Sequence, residues 1–196
     1  MEALLLINEN LDNIFKMYEN FGKFDYIGEP VTQIEHMIQA AMLAEEDGQS
    51  EEVILAALFH DIGHLIQLNN KNIKNDEKMS KYGFKNHEKM GLNFLKDNNI
   101  RYPIPELVEN HVKAKKYLVY KDPKYKENLS DASKKTLEFQ GGAMTEKEAK
   151  EFEQDKLFEL SLKLRGYDDK AKVENKKIKS LDYYRRMCLE YLLSNF

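Results

Sequence analysis

Val53-Ile54-Leu55-Ala56-Ala57-Leu58-Phe59-His60-Asp61-Ile62-Gly63-His64 is the stretch on which the reading of the fold turns. Its opening run has no polar face, the pattern of a helix buried on all sides. Two imidazoles and a carboxylate at the end of such a helix need compensation. A bare buried charge is costly, and a bound metal ion is one common remedy. Neighbours on a helix point about 100° apart, so His60 and Asp61 reach one ion from adjacent directions. His64 lies one turn beyond His60, on the same side.

The chain has 196 residues and 42% hydrophobic content, enough for one domain with its own core. Lys and Arg number 30 against 34 Asp and Glu, a formal net charge of −4. That balance argues against general nucleic-acid binding, which favours a basic surface, but is compatible with a small anion in a local positive pocket. The single cysteine, Cys188, lies in an apolar-periodic stretch and reads as a buried hydrophobe, so neither a disulfide framework nor a thiolate metal site is expected. The start, Met1-Glu2-Ala3-Leu4-Leu5-Leu6-Ile7, lacks a basic region and is broken by Asn8, Glu9 and Asn10, so no signal peptide is read. No apolar run is long enough to span a bilayer, and the expected compartment is the cytoplasm.

Working outward, Leu4, Leu11, Ile14, Phe15 and Tyr18 recur at helical spacing up to Phe21, and Gly22 ends that helix. A loop, 24–30, follows. Thr32-Gln33-Ile34-Glu35 is a capping box opening a helix that carries His36 and runs to Gly48. Ser50 caps the helix that delivers His60 and Asp61. Beyond His64, residues 68–85 are Asn- and Lys-rich and read as a long surface loop; such loops often lie over sites, so Tyr82-Gly83-Phe84 is expected to border one. Helices are expected over 88–98, with Asn86 as cap and His87 at the start, and over 105–118, with His111 and Lys115. Asp122-Pro123 reads as loop, and 130–139 as a short helix stopped by Gly141-Gly142. A second capping box, Thr145 with Glu148, opens a helix through Phe152, Leu157, Leu160 and Leu164 to Arg165, with Asp168 at its end. A polar link, 170–179, precedes a last helix over 181–193, capped by Ser180. No strand of weight and no repeat is visible. The class is all-α in one domain.

The five histidines, His36, His60, His64, His87 and His111, each fall near or within an expected helix. One histidine alone is usually a satisfied surface or core residue. The order H…HD…H…H…D, closing on Asp168, resembles the ligand order of HD-domain proteins, whose fold is a helical bundle with a metal site in its core. The simplest members hold one ion with the equivalents of His36, His60, Asp61 and Asp168, and are mostly phosphohydrolases acting on nucleotides or small phosphoesters through metal-bound water. That activity is the alternative reading. His87 and His111 stand where ligands of a second ion are expected, with Asp61 shared. Imidazole and carboxylate without thiolate suit iron, manganese or zinc better than magnesium or calcium.

A narrower resemblance selects among these. Residues 25–29, 33–36, 55–64, 87–91, 111–119, 128–142 and 164–168 are similar to the small HD-domain mixed-valence di-iron oxygenases that cleave carbon–phosphorus bonds. The most specific of these segments is Ser130-Asp131-Ala132-Ser133-Lys134-Lys135-Thr136-Leu137-Glu138-Phe139-Gln140-Gly141-Gly142, which the hydrolases do not share. The resemblance implies an HD core over about 24–168 with the last helix, about 180–193, packed on it. It implies two irons, Fe(II)/Fe(III), one held by His36, His60, Asp61 and Asp168, the other by Asp61, His87 and His111. It implies a small organophosphonate and O2 as partners, with no nucleic acid and no membrane. A 1-hydroxy-2-aminoethylphosphonate would give glycine and phosphate; an N-methylated analogue would give the N-methylated product.

By the same resemblance, Lys115, Ser133, Thr136 and Arg165 contact the phosphonate, with His64 alongside; cations and hydroxyls are suitable partners for its oxygens. Tyr26 covers an open metal position until substrate arrives, and Glu29 meets a substrate ammonium. A quaternary ammonium would instead favour an aromatic cage. The chain departs from the family pattern in the longer segment between His64 and His87 and in Gly166-Tyr167 before the last aspartate. Both departures are placed at the pocket walls.

Overall fold

The fold is described from a computed structural model over residues 2–26, 28–70, 78–79 and 82–194, without the side chain of Ala3. Within them it is all-α, with only two isolated bridges, Asp25 with Thr32 and Lys78 with Phe84. The elements are α1 (Glu2–Phe21), α2 (Gln33–Glu46), α3 (Glu51–Phe59), α4 (Ile62–Asn69), α5 (His87–Asp97), α6 (Ile104–Lys121), α7 (Pro123–Asn128), α8 (Asp131–Phe139), α9 (Glu146–Phe152), α10 (Phe158–Lys170) and α11 (Leu181–Ser194).

Helix α3 is the axis. Every residue from Val53 to Phe59 is buried, as a helix without a polar face requires. Helices α2, α6, α10 and α11 pack around it. Phe15 and Tyr18 of α1 reach Phe59, the Phe15 and Phe59 rings meeting edge to face at 6.1 Å, and the Tyr18 hydroxyl donates to Leu58 O at 2.8 Å. Cys188 is fully buried on α11, in the same core.

Both capping boxes form. Thr32 Oγ1 accepts from Glu35 N while Glu35 receives Thr32 N, and Thr145 and Glu148 repeat the arrangement. Ser130 caps α8 through Ser133 N at 3.1 Å. Ser50 and Asn86 occupy their N-cap positions without a side-chain cap bond, Asn86 in the left-handed region at φ 57°.

Four expectations are corrected. The buried helix ends at Phe59, and after His60 and Asp61 a new helix, α4, starts at Ile62 with Asp61 at its N-cap. The segment read as surface loop contributes Leu68 and Asn69 to α4 and buries Met79 and Phe84; its residues 71–77, 80 and 81, like Ile27 of the 25–29 stretch, lie outside the described residues. Asp122 accepts from Lys124 N at 2.9 Å and starts a short helix, α7, with Pro123 at its first position, where a missing N–H costs nothing. The helix read through Phe152 to Arg165 is two helices. Between them Asp155 accepts from Leu157 N at 2.8 Å and from Asn110 Nδ2 at 3.1 Å, pinning the break to α6.

Gly63 sets the close approach of α4 to α5. A Cβ there would stand 1.9 Å from His87 O. Gly63→Ala is expected to displace the start of α5 and to cost about 2–3 kcal/mol of stability as an overpacked contact, read as a lower midpoint in urea unfolding.

Candidate metal centre and substrate cavity

Helices α2, α5, α6 and α10, with the break between α3 and α4, deliver buried polar groups to a common point. His36 comes from α2, His60 and Asp61 from the α3–α4 break, His87 from the first position of α5, His111 from the middle of α6 and Asp168 from the last turn of α10. All six are at most 3% exposed. The break between α3 and α4 frees Asp61 to point between two sets of rings.

Asp61 Oδ2 lies 3.6 Å from His36 Nε2 and 3.5 Å from His60 Nε2. Its Oδ1 lies 3.3 Å from His87 Nε2 and 3.5 Å from His111 Nε2. Asp168 Oδ1 completes the first set at 3.3 Å from His36 and 3.8 Å from His60. Two groups able to hold a metal result, His36–His60–Asp168 and Asp61–His87–His111.

The outer nitrogens decide what the inner ones present. His36 Nδ1 lies 2.9 Å from Ala171 O, His60 Nδ1 2.8 Å from Ala57 O, His87 Nδ1 3.2 Å from Phe84 O and His111 Nδ1 2.6 Å from Val108 O. A carbonyl only accepts, so each Nδ1 carries a hydrogen, and a ring in its metal-binding neutral form turns a bare Nε2 lone pair inward. The Nε2 atoms of His36 and His60 face each other at 3.0 Å, and those of His87 and His111 at 3.1 Å. With metal–nitrogen bonds of about 2.1 Å, two imidazoles at right angles about one ion stand about 3.0 Å apart. Asp61 Oδ2 is buried without a hydrogen-bond partner, as an oxygen facing a cation would be. The donor set fits two first-row transition ions sharing one carboxylate.

The protonation pattern agrees for His60 and His111, whereas at His87 a second hydrogen, on Nε2 facing Asp61 Oδ1, is favoured while no cation is bound. Burial pushes His60 below its ordinary value and His111 well below it, so both are neutral. Burial opposes charge on His87 too, but hydrogen bonding to Asp61 and its charge outweigh it and hold that ring above its ordinary value. Burial works against the Asp61 and Asp168 carboxylates, yet the histidines around Asp61 and the Arg165 guanidinium beside Asp168 hold both well below the usual range.

A cavity of about 220 Å³ opens on this centre. Asp61, His87, His111 and Asp168 form its floor; Tyr26, Glu29, His64, Lys115, Ser133, Thr136 and Arg165 all lie on its wall. Every substrate-side residue singled out from the sequence is therefore brought to one space. So are Tyr82, Gly83 and Phe84. Gly83 has φ 108°, and a Cβ on it would meet His64 Cε1 at 2.8 Å, so the segment presses on that imidazole. Gly166 and Tyr167 do not reach the cavity; the Tyr167 hydroxyl donates to Asp47 Oδ2 at 2.5 Å on the far side of α10.

The wall is cationic where α6, α8 and α10 meet. Lys115, 3% exposed, donates to Thr136 Oγ1 at 3.0 Å, and burial, aided by Arg165, brings its ammonium down to about 7. Arg165 grips Asp168 Oδ2 at 2.5 Å, Asp169, and the Tyr125 hydroxyl at 3.0 Å, which leaves two of its five N–H groups uncommitted to these partners. Tyr125 and Asp169 were not visible as site residues in the sequence, and Asp169 beside Asp168 was the only signal. His64 stacks on His87 at 4.0 Å; burial, then His87, lowers it to about 3, so it is neutral, and its Nδ1 has no partner. Tyr26 stacks on His36 at 4.1 Å, and desolvation, then the Asp61 and Asp168 charges, keeps its hydroxyl protonated. Glu29 accepts from Ser130 Oγ at 2.5 Å and from Lys172 Nζ at 2.8 Å. Lys172 lay in the link read only as polar.

Residues 34–187 match the HD domain family. Over 186 residues, 95% of this chain and 83% of the relative, 52% are identical to the uncharacterized protein L432 of Acanthamoeba polyphaga mimivirus. Identity is 37% over 156 residues with [1-hydroxy-2-(trimethylamino)ethyl]phosphonate dioxygenase (glycine-betaine-forming) of Leisingera caerulea, covering 80% of this chain and 76% of that one. With hydroxymethylphosphonate dioxygenase of Gimesia maris (strain ATCC 29201 / DSM 8797 / 534-30) it is 36% over 190 residues, covering 93% and 90%. The chain belongs to the HD-domain phosphonate oxygenase family. Members named as dioxygenases make this HD-domain protein an oxygenase in class, and its clustered imidazoles and carboxylates could hold metal, in keeping with that class. None of its helices, among the described residues, is long and apolar enough to cross a membrane.

Metal uptake by this HD-domain protein should raise its melting temperature, because an ion relieves the opposed lone pairs. Loading the His87 group must expel a proton, so its affinity should fall as pH drops below that ring's raised value, with proton release measurable by calorimetry in two buffers. Asp61→Asn should weaken metal retention at both groups by about 10–100-fold, measured as metal per chain after dialysis.

Proposed function

We propose that the chain is a di-iron oxygenase, Fe(II)/Fe(III), that uses O2 to cleave the carbon–phosphorus bond of a 1-hydroxyalkylphosphonate, releasing inorganic phosphate and the corresponding carboxylic acid. One observation carries the reading. Asp61 turns one oxygen to each of two imidazole pairs, directly beneath a cavity lined by Lys115 and Arg165. His36, His60, Asp61 and Asp168 would hold one iron, and Asp61, His87 and His111 the other. Bound iron would supply the activation of O2 that protein side chains lack.

The protein's own part is binding and placement. Lys115 and Thr136, already hydrogen-bonded to each other, offer an ammonium and a hydroxyl to phosphonate oxygens. Ser133 and the free N–H groups of Arg165 add donors from two other helices. Arg165 also steadies Asp168. Neutral His64 sits 3.9 Å from Asp61 Oδ1 with its Nδ1 unspent, placed to exchange a proton with the substrate hydroxyl. Tyr26, stacked on His36, screens the centre from water until substrate displaces it. The tail of the substrate would extend along the wall that carries Glu29.

Iron-loaded protein given a 1-hydroxyalkylphosphonate should consume one O2 per phosphate released, measured with an oxygen electrode and a phosphate assay. Phosphate release from nucleotides without oxygen would replace this reading with hydrolysis. His111→Ala should abolish oxygen uptake while leaving metal at the His36 group. Lys115 is cationic below about pH 7 and neutral above it. Phosphonate affinity should therefore weaken as pH rises through 7, and Lys115→Arg should flatten that slope in a binding titration.

A further inference from the structure

The segment after α10 is anchored on both sides of one lysine. Ala171 O receives His36 Nδ1 at 2.9 Å, and Gln39 clasps Val173 with two hydrogen bonds of 3.0 Å, one to N and one to O. Lys172 stands between these anchors with its side chain 12% exposed. Its ammonium meets Glu29 Oε1 at 2.8 Å and lies 5.8 Å from the centre of the Tyr26 ring. The same Glu29 oxygen takes the Ser130 hydroxyl at 2.5 Å.

Glu29 is on the cavity wall, and its side chain is 7% exposed. A buried carboxylate facing a cavity would ordinarily be the place for a ligand's cation. Here the cation is built in. Lys172 is held to Glu29 by the fold, at an effective concentration that a free ligand does not match. An ammonium entering beside it would leave two cations on one carboxylate, one of them buried without a counter-charge, which is strongly unfavourable. Lys115 and Arg165 add further positive charge across the same space.

We propose that Lys172 is a specificity-determining residue: by occupying Glu29 it tunes the cavity to 1-hydroxyalkylphosphonates whose carbon chain carries no ammonium group. This rests on the phosphonate reading above and narrows it to substrates with an uncharged tail. Removing the Lys172 charge should free Glu29 and convert the cavity to one that prefers an amine.

The test uses iron-loaded protein and two probes of matched size, ethylphosphonate and 2-aminoethylphosphonate. Neither carries the 1-hydroxyl, so binding is read by calorimetry without turnover. The wild-type protein should bind ethylphosphonate more tightly by about tenfold. Lys172→Met should invert that order, and Lys172→Arg should preserve it. Lys172→Gln serves in place of Met if the Met variant melts early. Adding Glu29→Gln to Lys172→Met should erase the inversion, which a merely structural role for Lys172 would not do. Tighter wild-type binding of 2-aminoethylphosphonate, or an order unmoved in both Lys172→Met and Lys172→Gln, would overturn this proposal and leave the phosphonate reading standing. Failure of both probes to bind would bring down the two together.

Discussion

Four imidazoles that have already given away their hydrogens create the constraint behind the rest of the molecule. Ala57, Phe84, Val108 and Ala171 each take an Nδ1–H through a main-chain carbonyl. The remaining nitrogens are driven inward, two against two, around the oxygens of Asp61, and present lone pairs there once His87 has lost its second hydrogen. Such an arrangement is repulsive in an apolar interior unless positive charge enters it. The backbone therefore fixes the tautomers, and the tautomers fix the need for metal. Three of the four carbonyls lie in the turn before their own histidine or just ahead of the helix that carries it, so local helix geometry does much of this work. Only Ala171 is remote, and it ties α2 to the end of α10.

The same economy explains why α3 and α4 are two helices. A continuous helix would carry Asp61 round one face with His60. Ending α3 at Phe59 lets Asp61 act as the N-cap of α4 with φ −105° and ψ 12°, and its carboxylate then stands between the rings. Gly63 follows because α5 must come close enough to bring His87 over Asp61 Oδ1. The apolar run from Val53 to Phe59 matters to function through this geometry: it fixes the height and rotation at which the break occurs.

How much of this could be read in the sequence varies with how local the cause is. The buried helix, both capping boxes and the order of histidines and aspartates are local patterns, and they appear in the fold where the sequence put them. The break between α9 and α10 has no glycine or proline to announce it, since Asp155 makes it by capping Leu157 and holding Asn110 of a distant helix. Asp122 could be read as a loop residue or as a cap, and only the short helix after it decides. Tyr125 and Asp169 gain meaning only through Arg165, which joins them across α7 and α10. Gly166 and Tyr167 looked like changes in the pocket wall because they adjoin Asp168, but helical rotation turns them away from it.

Lys172 is the extreme case, lying 143 positions from Glu29 in a link that reads as solvated charge. Its importance comes from being sequestered. The floor of the cavity is set by buried imidazoles and carboxylates that could hold metal, and whose lone pairs and charges balance one another, so it offers little room for variation. The wall toward Glu29 is different, because exchanging one side chain there changes the charge offered to a ligand's tail while leaving the six buried imidazoles and carboxylates untouched. Relatives of this chain named for a trimethylamino substrate and for hydroxymethylphosphonate differ at that end of the molecule they act on, and share the phosphonate end. A fold that separates a fixed reactive floor from an adjustable wall lets substrate choice change without rebuilding the centre, and the Lys172–Glu29 pair lies on the adjustable side of that division.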